Sequence, residues 1–204
     1  MNPLLSIWSQ PKNTVQYMID NKRISYLVFL AILASLATGI LAFADSGLFE
    51  GFSLPVILVI VTILSIIISI ASWGFGSLVY TWIGKWLGGT GTIKNMSYAV
   101  AAGLIPTIWT MPIGFIAVIL YGKSLFSQPV GDFAITNMST GFYLIQNLLI
   151  FGVSIYGLVV LSKGIGLVHN FSAWRGFGAV MIFLGISILI AIVVLLPLLF
   201  ILFL

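Results

Sequence analysis

The apolar and polar positions divide the chain into five long apolar segments separated by short segments that carry the charged residues. The apolar segments, none of which contains Asp, Glu, Lys or Arg, run over 24–44, 51–84, 95–122, 133–162 and 176–204. About 20 apolar residues in an α-helix are enough to cross the hydrocarbon core of a bilayer, because each residue adds about 1.5 Å. Each segment is long enough for one crossing and too short for two crossings joined by a turn. The pattern therefore predicts five transmembrane helices, at about 24–43, 55–83, 98–121, 142–162 and 179–203.

The composition supports a membrane environment for most of the surface. Of the 204 residues, 61% are hydrophobic and 6% are charged, whereas about 25% of the residues of an ordinary globular domain are charged. A soluble fold of this size could not cover its surface with so few charges, so lipid must solvate most of that surface. The predicted fold class is all-α, a polytopic membrane bundle of five transmembrane helices.

Two of the five predicted spans contain residues that bend helices. The second span is longer than a crossing requires, so we expect it to tilt, to bend near Gly74-Phe75-Gly76, or to continue beyond the membrane. The third span contains Pro106 and Pro112, each of which removes a backbone donor and clashes with the carbonyl group four residues earlier. We predict a helix kink here, and the alternative is a locally unwound helix that contributes to a binding site.

The residues before the first span predict a short helix that lies in the membrane interface. Ser9 can cap this helix, which has Pro11 in its first turn. Val15, Met18 and Ile19 then fall on one face, whereas the polar side chains fall largely elsewhere. The predicted organisation is a cytoplasmic amphipathic segment over 1–23 and a five-helix transmembrane domain over 24–204, and the alternative for the first segment is a disordered tail.

The distribution of basic residues predicts the orientation in the membrane. With the N-terminus in the cytoplasm, seven of the eight Lys and Arg residues lie on the cytoplasmic side: Lys12, Lys22, Arg23, Lys85, Lys94, Lys163 and Arg175. Only Lys123 lies on the other side, and short loops with an excess of Lys and Arg stay in the cytoplasm. We therefore predict a multi-pass protein of the cell membrane with a cytoplasmic N-terminus and an external C-terminus. Four or six spans would not give this segregation.

Few residues in the sequence are suited to catalysis. There is no Cys, and no ionisable residue lies deep within a predicted span, whereas proton relays and ion-coupled transporters usually keep such groups there. The single histidine, His169, has no second metal ligand nearby and is predicted to be a solvated loop residue. We predict no catalytic residue, no metal site and no cofactor. The dispersed basic residues do not form a patch that would bind nucleic acid.

A stripe of small residues follows one face of the second predicted span. Its members recur at spacings of three and four, which place them on one side of a helix; they are Thr62, Ser65, Ser69, Ser72 and Gly76. Helices in lipid associate through close backbone approach, since lipid tails are as apolar as the helices themselves. We interpret the stripe as a helix-packing or interaction surface, and the alternative is the polar lining of a substrate path.

The loop after this span is rich in glycine. It contains Gly88, Gly89 and Gly91, but Lys94 follows Ile93 and precedes Asn95, so the segment lacks the spacing of a phosphate-binding loop. We predict a tight connection between two helices, in which glycine allows positive φ and close approach. If the protein binds a partner on the cytoplasmic side, we expect the same glycines to form the docking point.

The chain also resembles a known family of membrane proteins. One part of the resemblance lies in Asn2-Pro3, Ile7-Trp8, Pro11 and Tyr17-Met18-Ile19-Asp20. The other part lies in Trp82-Ile83-Gly84-Lys85-Trp86-Leu87-Gly88-Gly89-Thr90-Gly91, followed by Tyr98 and Pro106. These motifs resemble the bacterial branch of the Yip family, named for eukaryotic proteins that interact with Ypt/Rab GTPases. In that family a central helix ends in a Gly-Gly loop and the next helix carries a proline.

The resemblance covers nearly the whole chain and implies five spans with a cytoplasmic N-terminus. Eukaryotic members have a long cytosolic N-terminal region and an acidic tyrosine motif, neither of which is recognisable here, so Rab binding and vesicle trafficking are not transferred to this chain. For bacterial members, the resemblance implies an accessory role beside an ABC-type export system.

The residues and the resemblance together predict a function without catalysis. The first hypothesis is an integral membrane scaffold or accessory subunit that binds the lipid bilayer, other integral membrane proteins or itself. The alternative is a small carrier or pore for a small or lipophilic substrate, suggested by the two prolines beside the Ser/Thr stripe.

Overall fold

The computed structural model describes residues 1–131, 133–195 and 197, and this part of the chain is helical and contains no β-strand. Eight α-helices follow one another in these described residues: α1 (Pro3–Ser6), α2 (Pro11–Asn21), α3 (Ile24–Ala42), α4 (Leu54–Trp86), α5 (Ile93–Ile108), α6 (Met111–Tyr121), α7 (Thr140–Val168) and α8 (Ala173–Ile190). A 3₁₀ turn over Gly122–Phe126 follows α6, and a π-helical turn over Ala191–Leu195 follows α8.

These helices form an all-α polytopic membrane bundle. Four of them, α3, α4, α7 and α8 with its continuation to Val194, are long and apolar enough to cross a bilayer one by one. The helices α5 and α6 together make the fifth candidate span, which bends by 43° at a short break. The predicted fold class is therefore confirmed, and the third of its five spans is a broken one.

The helix α4 is longer than the membrane is thick. Its 33 residues extend about 50 Å at 1.5 Å per residue, against about 30 Å for the hydrocarbon core. The helix continues through Gly74 and Gly76 without interruption. The excess length is therefore not accommodated by a break in the helix at Gly74 or Gly76. The fifth predicted span, 179–203, ends outside the described residues, and α8 begins earlier, at Ala173.

The break in the third span lies between its two prolines. Pro106 lies inside α5, whereas Pro112 is in the first turn of α6, where a missing N–H is tolerated. Between them Trp109 N donates to Pro106 O at 3.2 Å and Thr110 N donates to Thr107 O at 3.0 Å, a three-residue spacing tighter than that of an α-helix. Pro112 has no N–H to bond the carbonyl group of Ile108, so the α-helical ladder stops at this point.

Small residues allow α5 to lie at the centre of the bundle. Ala99, Ala101 and Ala102 are fully buried on α5. The opposing helix α7 presents Gly157 and Gly164, and a Cβ atom at Gly164 would lie 2.9 Å from the Cβ atom of Ala99. This close contact between α5 and α7 is the membrane form of helix pairing, in which small residues replace the hydrophobic drive that lipid removes.

The N-terminal segment packs on the bundle. The apolar side chains of Ile7, Val15 and Met18 are fully buried, and α2 contacts both α5 and α7. The prediction that Ser9 caps this helix was wrong: α2 begins at Pro11 with Gln10 as its N-cap. Ser9 lies instead in the turn between a separate first helix, α1, and α2, one residue before the N-cap.

Three side-chain donors join this segment to the transmembrane helices through four hydrogen-bond contacts. The Tyr156 hydroxyl lies 2.8 Å from Ile7 O and 2.7 Å from Trp8 O, and the Tyr98 hydroxyl donates to Lys22 O at 2.8 Å. The Trp109 indole N–H donates to Leu4 O at 3.3 Å. The rings of Trp8 and Tyr156 also stack, with centroids 4.9 Å apart. These contacts fix both ends of the segment on α5 and α7.

Candidate functional site

The two ends of the bundle differ in chemistry. At one end the α4–α5 loop (87–92), the α7–α8 loop (169–172) and residues 22–23 come together, and we call it the basic end because it carries Lys22, Arg23, Lys85, Lys94, Lys163 and Arg175. At the opposite end Asp45 N donates to Leu125 O at 2.8 Å and Gly47 N donates to Phe126 O at 3.1 Å. Each end is therefore closed by contacts between loops that are distant in sequence.

His169 occupies the centre of the basic end. The prediction of a solvated loop residue was wrong, because the side chain is only 2% exposed. Three glycines leave the space that it fills: a Cβ atom at Gly84, Gly89 or Gly91 would overlap or crowd its imidazole ring. The ring also stacks on Phe171, with centroids 5.4 Å apart and planes 9° from parallel.

Hydrogen bonds reinforce this packing. We call the arrangement of His169 and Asn170 against Gly84 and Gly89–Gly91 the clasp. The backbone N–H of Gly91 donates to His169 Nδ1 at 3.0 Å, and the Asn170 amide donates to Thr90 Oγ1 at 3.1 Å. Gly89 N donates to Gly84 O at 2.9 Å, which ends α4. The two loops of the basic end are thereby joined into one surface.

The predicted docking glycines fall in different environments within this clasp. Gly88 is exposed and has a φ of 82°, so it provides the left-handed turn out of α4. Gly89 is partly covered and Gly91 is buried, and both border the His169 ring. Of the three, Gly88 is the residue that a partner can reach.

The clasp determines the protonation state of His169. Since Nδ1 accepts a hydrogen bond, the neutral ring carries its proton on Nε2. Burial lowers the pKa of His169 below its ordinary value of 6.5; the backbone of Tyr80 partly opposes this, and the charge of Lys85 lowers the pKa further. The described residues contain no group of three His, Cys, Asp or Glu side chains that could hold a metal ion.

The structure divides the predicted small-residue stripe between two neighbours. Ser69 Oγ donates to Ala31 O at 2.8 Å, and Ser65 is buried where α4 meets Gly39 of α3. Thr62 lines a narrow gap beside the same contact. Ser72 and Gly76 instead face an apolar groove towards α5, α7 and α8. One part of the stripe therefore packs within the chain, and the other borders open space.

A polar cavity lies at the opposite end, between α3, the break of the third span and α7. Its volume is about 480 Å³, within the range of ligand-binding pockets. The polar side chains that line it are Thr38, Asp45, Thr107, Thr110, Tyr143, Gln146, Asn147 and Ser154. None of them was predicted as a site residue. The sequence signals were Gln146 inside an apolar segment and the two prolines that place Thr107 and Thr110 at the break.

The apolar groove at Ser72 adjoins this cavity. It has a volume of about 530 Å³, and its walls come mainly from apolar side chains of α4, α5, α7 and α8. Thr107 and Ser154 line both spaces. The polar cavity and the apolar groove are therefore neighbouring spaces that share part of one wall.

Apolar spanning helices, a broken third span and loops that close both ends define the chain as a polytopic α-helical membrane protein. Residues 5–196 match the family model described as the Yip1 domain. The chain therefore belongs to the Yip1-domain family, as the sequence motifs suggested. A comparison with curated proteins found no match, and neither did a comparison with solved structures.

Proposed function

We propose that this chain is a non-enzymatic integral membrane scaffold or accessory subunit of the bacterial branch of its family. The observation that carries the proposal is the clasp, in which His169 accepts a hydrogen bond from Gly91 N and joins the two loops of the basic end. A scaffold requires groups held at fixed spacing, and a preorganised surface loses little entropy when a partner binds. Membership of the Yip1-domain family supports the same role.

The proposed binding surface is the rim of the basic end. Trp82, Trp86 and Trp174 are exposed by 60%, 57% and 82%, and they lie near the Lys and Arg residues of this end. Tryptophan is enriched both at membrane interfaces and at the centres of protein interfaces. The rim can therefore hold a neighbouring membrane protein at headgroup depth.

We propose that the basic end lies on the cytoplasmic side of the cell membrane. Short loops rich in Lys and Arg remain on that side during insertion. The N-terminal segment then packs from the cytoplasmic side and the C-terminus is external. An ABC-type exporter complex is the partner that the family resemblance implies.

Site-specific photo-crosslinking from native membranes tests the scaffold role. A crosslinking amino acid at Trp86 or Trp174 is expected to capture a near-stoichiometric integral membrane partner, with exporter subunits as the first to be sought. The matched control carries the probe at Ile119, which is 81% exposed on α6. Recovery of the chain alone from both rim positions would contradict the proposal, and crosslinks between two copies would identify the partner as the chain itself.

A second candidate function, a small carrier or pore, is favoured by the polar cavity and the apolar groove, which lie beside the broken third span and share Thr107 and Ser154 as lining residues. Purified protein in liposomes is then expected to exchange small or lipophilic solutes selectively. Replacing Ser154 by Leu should block the exchange, because its side chain borders both spaces. Liposomes that remain tight across a solute panel would reject this candidate.

A further inference from the structure

A groove runs between α7 and α8 at the basic end of the bundle, with a volume of about 430 Å³. One charged side chain, Lys163, lines it together with apolar and aromatic side chains. The two helices lie in close contact here, since a Cβ atom at Gly176 would overlap the carbonyl group of Ser162. Trp174 on its edge is 82% exposed, so the groove is open to the membrane.

The charged and apolar parts of this groove are separated along α7. Lys163 lies five residues nearer the basic end than Leu158, which is about 7.5 Å along the helix axis. The apolar wall of Leu158, Val159 and Phe177 therefore extends from the lysine towards the middle of the bundle. Trp174 packs edge to face on Phe177, and tryptophan is enriched where a membrane meets water. A ligand with an anionic head and an apolar tail matches this order.

The carboxylates that the structure describes form hydrogen bonds elsewhere. Asp45 and Glu50 accept from backbone N–H groups at the opposite end, at 2.8 and 3.4 Å. Both oxygens of Asp20 accept from Gln16 Nε2 at 2.9 Å. The half-buried Lys163 therefore has to find its anion outside this part of the chain, and a lysine ammonium group is a common ligand of phosphate.

A second groove at the basic end has the same composition. It lies between α4 and α5, has a volume of about 320 Å³, and is lined by Lys85, Trp82 and Thr81 together with apolar side chains. In contrast, the described residues that line the polar cavity, the groove at Ser72 and the gap beside Thr62 include no Lys, Arg or Trp. Among these five spaces, a lysine and a tryptophan beside an apolar wall are particular to the basic end.

Basic grooves between transmembrane helices are typical binding sites for anionic lipid headgroups. We propose that the α7–α8 groove binds one anionic phospholipid, with its phosphate at Lys163 and an acyl chain along Leu158, Val159 and Phe177. A zwitterionic phospholipid fits less well, because its own cation compensates the phosphate and would lie close to the lysine. Such a lipid would bind whether or not the chain is a scaffold, so either role can fail without the other.

Quenching of Trp174 fluorescence by brominated lipid measures this binding, because bromine quenches tryptophan on contact. The full chain is placed in phosphatidylcholine vesicles that contain a minor fraction of phosphatidylglycerol, and one of the two lipids carries the brominated acyl chains. Subtracting the signal of Trp174→Phe isolates Trp174 from the other tryptophans. Phosphatidylglycerol is expected to quench Trp174 at about fivefold lower mole fraction than phosphatidylcholine, the effect of one lysine near a membrane surface.

Matched lysine variants separate the groove from the general attraction of a basic surface. Lys163→Gln should remove most of the preference for phosphatidylglycerol at Trp174. Lys94→Gln removes the same charge from the same end, but Lys94 is exposed and lines neither groove, so the preference should stay near its native value. Equal losses in the two variants, or an unchanged preference in Lys163→Gln, would overturn the site.

A second pair of variants tests the apolar wall. Val159→Phe narrows the groove and should reduce quenching of Trp174 by both lipids, whereas Ile155→Phe, one turn away on α7 and outside the groove, should not. If Val159→Phe does not fold, the lysine pair still decides. Equal quenching by the two lipids in the native chain would overturn the proposal, and so would no quenching by either, which would mean that a second copy covers the groove.

Discussion

His169 Nδ1 accepts a hydrogen bond from Gly91 N at 3.0 Å, and this contact joins residues 78 positions apart in the chain. It requires the neutral ring, because a protonated Nδ1 would direct its own proton at the Gly91 N–H. The clasp therefore depends on the charge of one residue.

Acid is expected to loosen the clasp through His169. Burial holds the pKa of the folded-state ring below 6.5, so the unfolded chain binds this proton more readily. The contribution of His169 to stability is fully present above about pH 6.5 and is lost as the pH falls from there towards the folded-state pKa. Unfolding temperatures in detergent at pH values on both sides of this window should show the loss.

The control is His169→Gln, which cannot titrate. Its unfolding temperature should be lower than that of the native chain near neutral pH and should change less with acidification. Parallel pH profiles for the two proteins would mean that other groups cause the acid sensitivity.

The space around the imidazole predicts an asymmetry between two glycines of α4. Gly84→Ala should lower the free energy of unfolding by about 1–3 kcal/mol, because its Cβ atom would overlap His169 in a packed site. Gly74→Ala should be neutral or stabilising by up to about 1 kcal/mol, since nothing lies within 4 Å of its Cβ position. Denaturant titration in mixed micelles measures both variants. Equal changes in the free energy of unfolding for the two variants would show that the His169 ring moves aside freely.

A second glycine pair tests the contact between α7 and α8. A Cβ atom at Gly176 would overlap the carbonyl group of Ser162, whereas nothing lies within 4 Å of one at Gly178. Because backbone cannot rotate away as a side chain can, Gly176→Ala should destabilise by about 3 kcal/mol, at the upper end of overpacking costs. Gly178→Ala provides the matched control and should retain native stability in the same thermal scan.

Loss of one hydroxyl group should release the N-terminal segment. In Tyr156→Phe the carbonyl groups of Ile7 and Trp8 lose their shared donor, at a cost of about 1 kcal/mol. Hydrogen exchange in α1 and α2 should accelerate several-fold while α4 remains protected. Tyr17→Phe removes a hydroxyl group from the segment itself and should leave exchange unchanged. If Tyr156→Phe also leaves it unchanged, burial of Val15 and Met18 alone holds the segment.

The structure also changes how the small-residue stripe should be tested. Ser69→Leu would break the contact with Ala31 inside the chain, so a lost complex would not identify a partner surface. In Ser72→Leu the leucine side chain would point into the groove and leave the α3–α4 contact intact. The second substitution therefore distinguishes an external or ligand-binding role from a folding role.

The sequence by itself determined the class of this protein, an all-α polytopic membrane bundle. A crossing depends on a run of about 20 apolar residues, which is a local property, so charges at Arg23 and Asp45 were enough to delimit the first span. The amphipathic pattern of Val15 and Met18 identified α2 for the same reason. The prolines at 106 and 112 placed the break, because a missing N–H acts on its own helix.

Only the tertiary structure decided what the polar residues do. His169 became buried because glycines about 80 residues away leave room for it, and no local pattern contains that relation. Gln146 lines a cavity because α3 and the broken span stand apart beside it, although the flanking sequence is that of an ordinary span. Which neighbour each polar group meets depends on how the helices pair, and in lipid that pairing follows shape more than hydrophobicity.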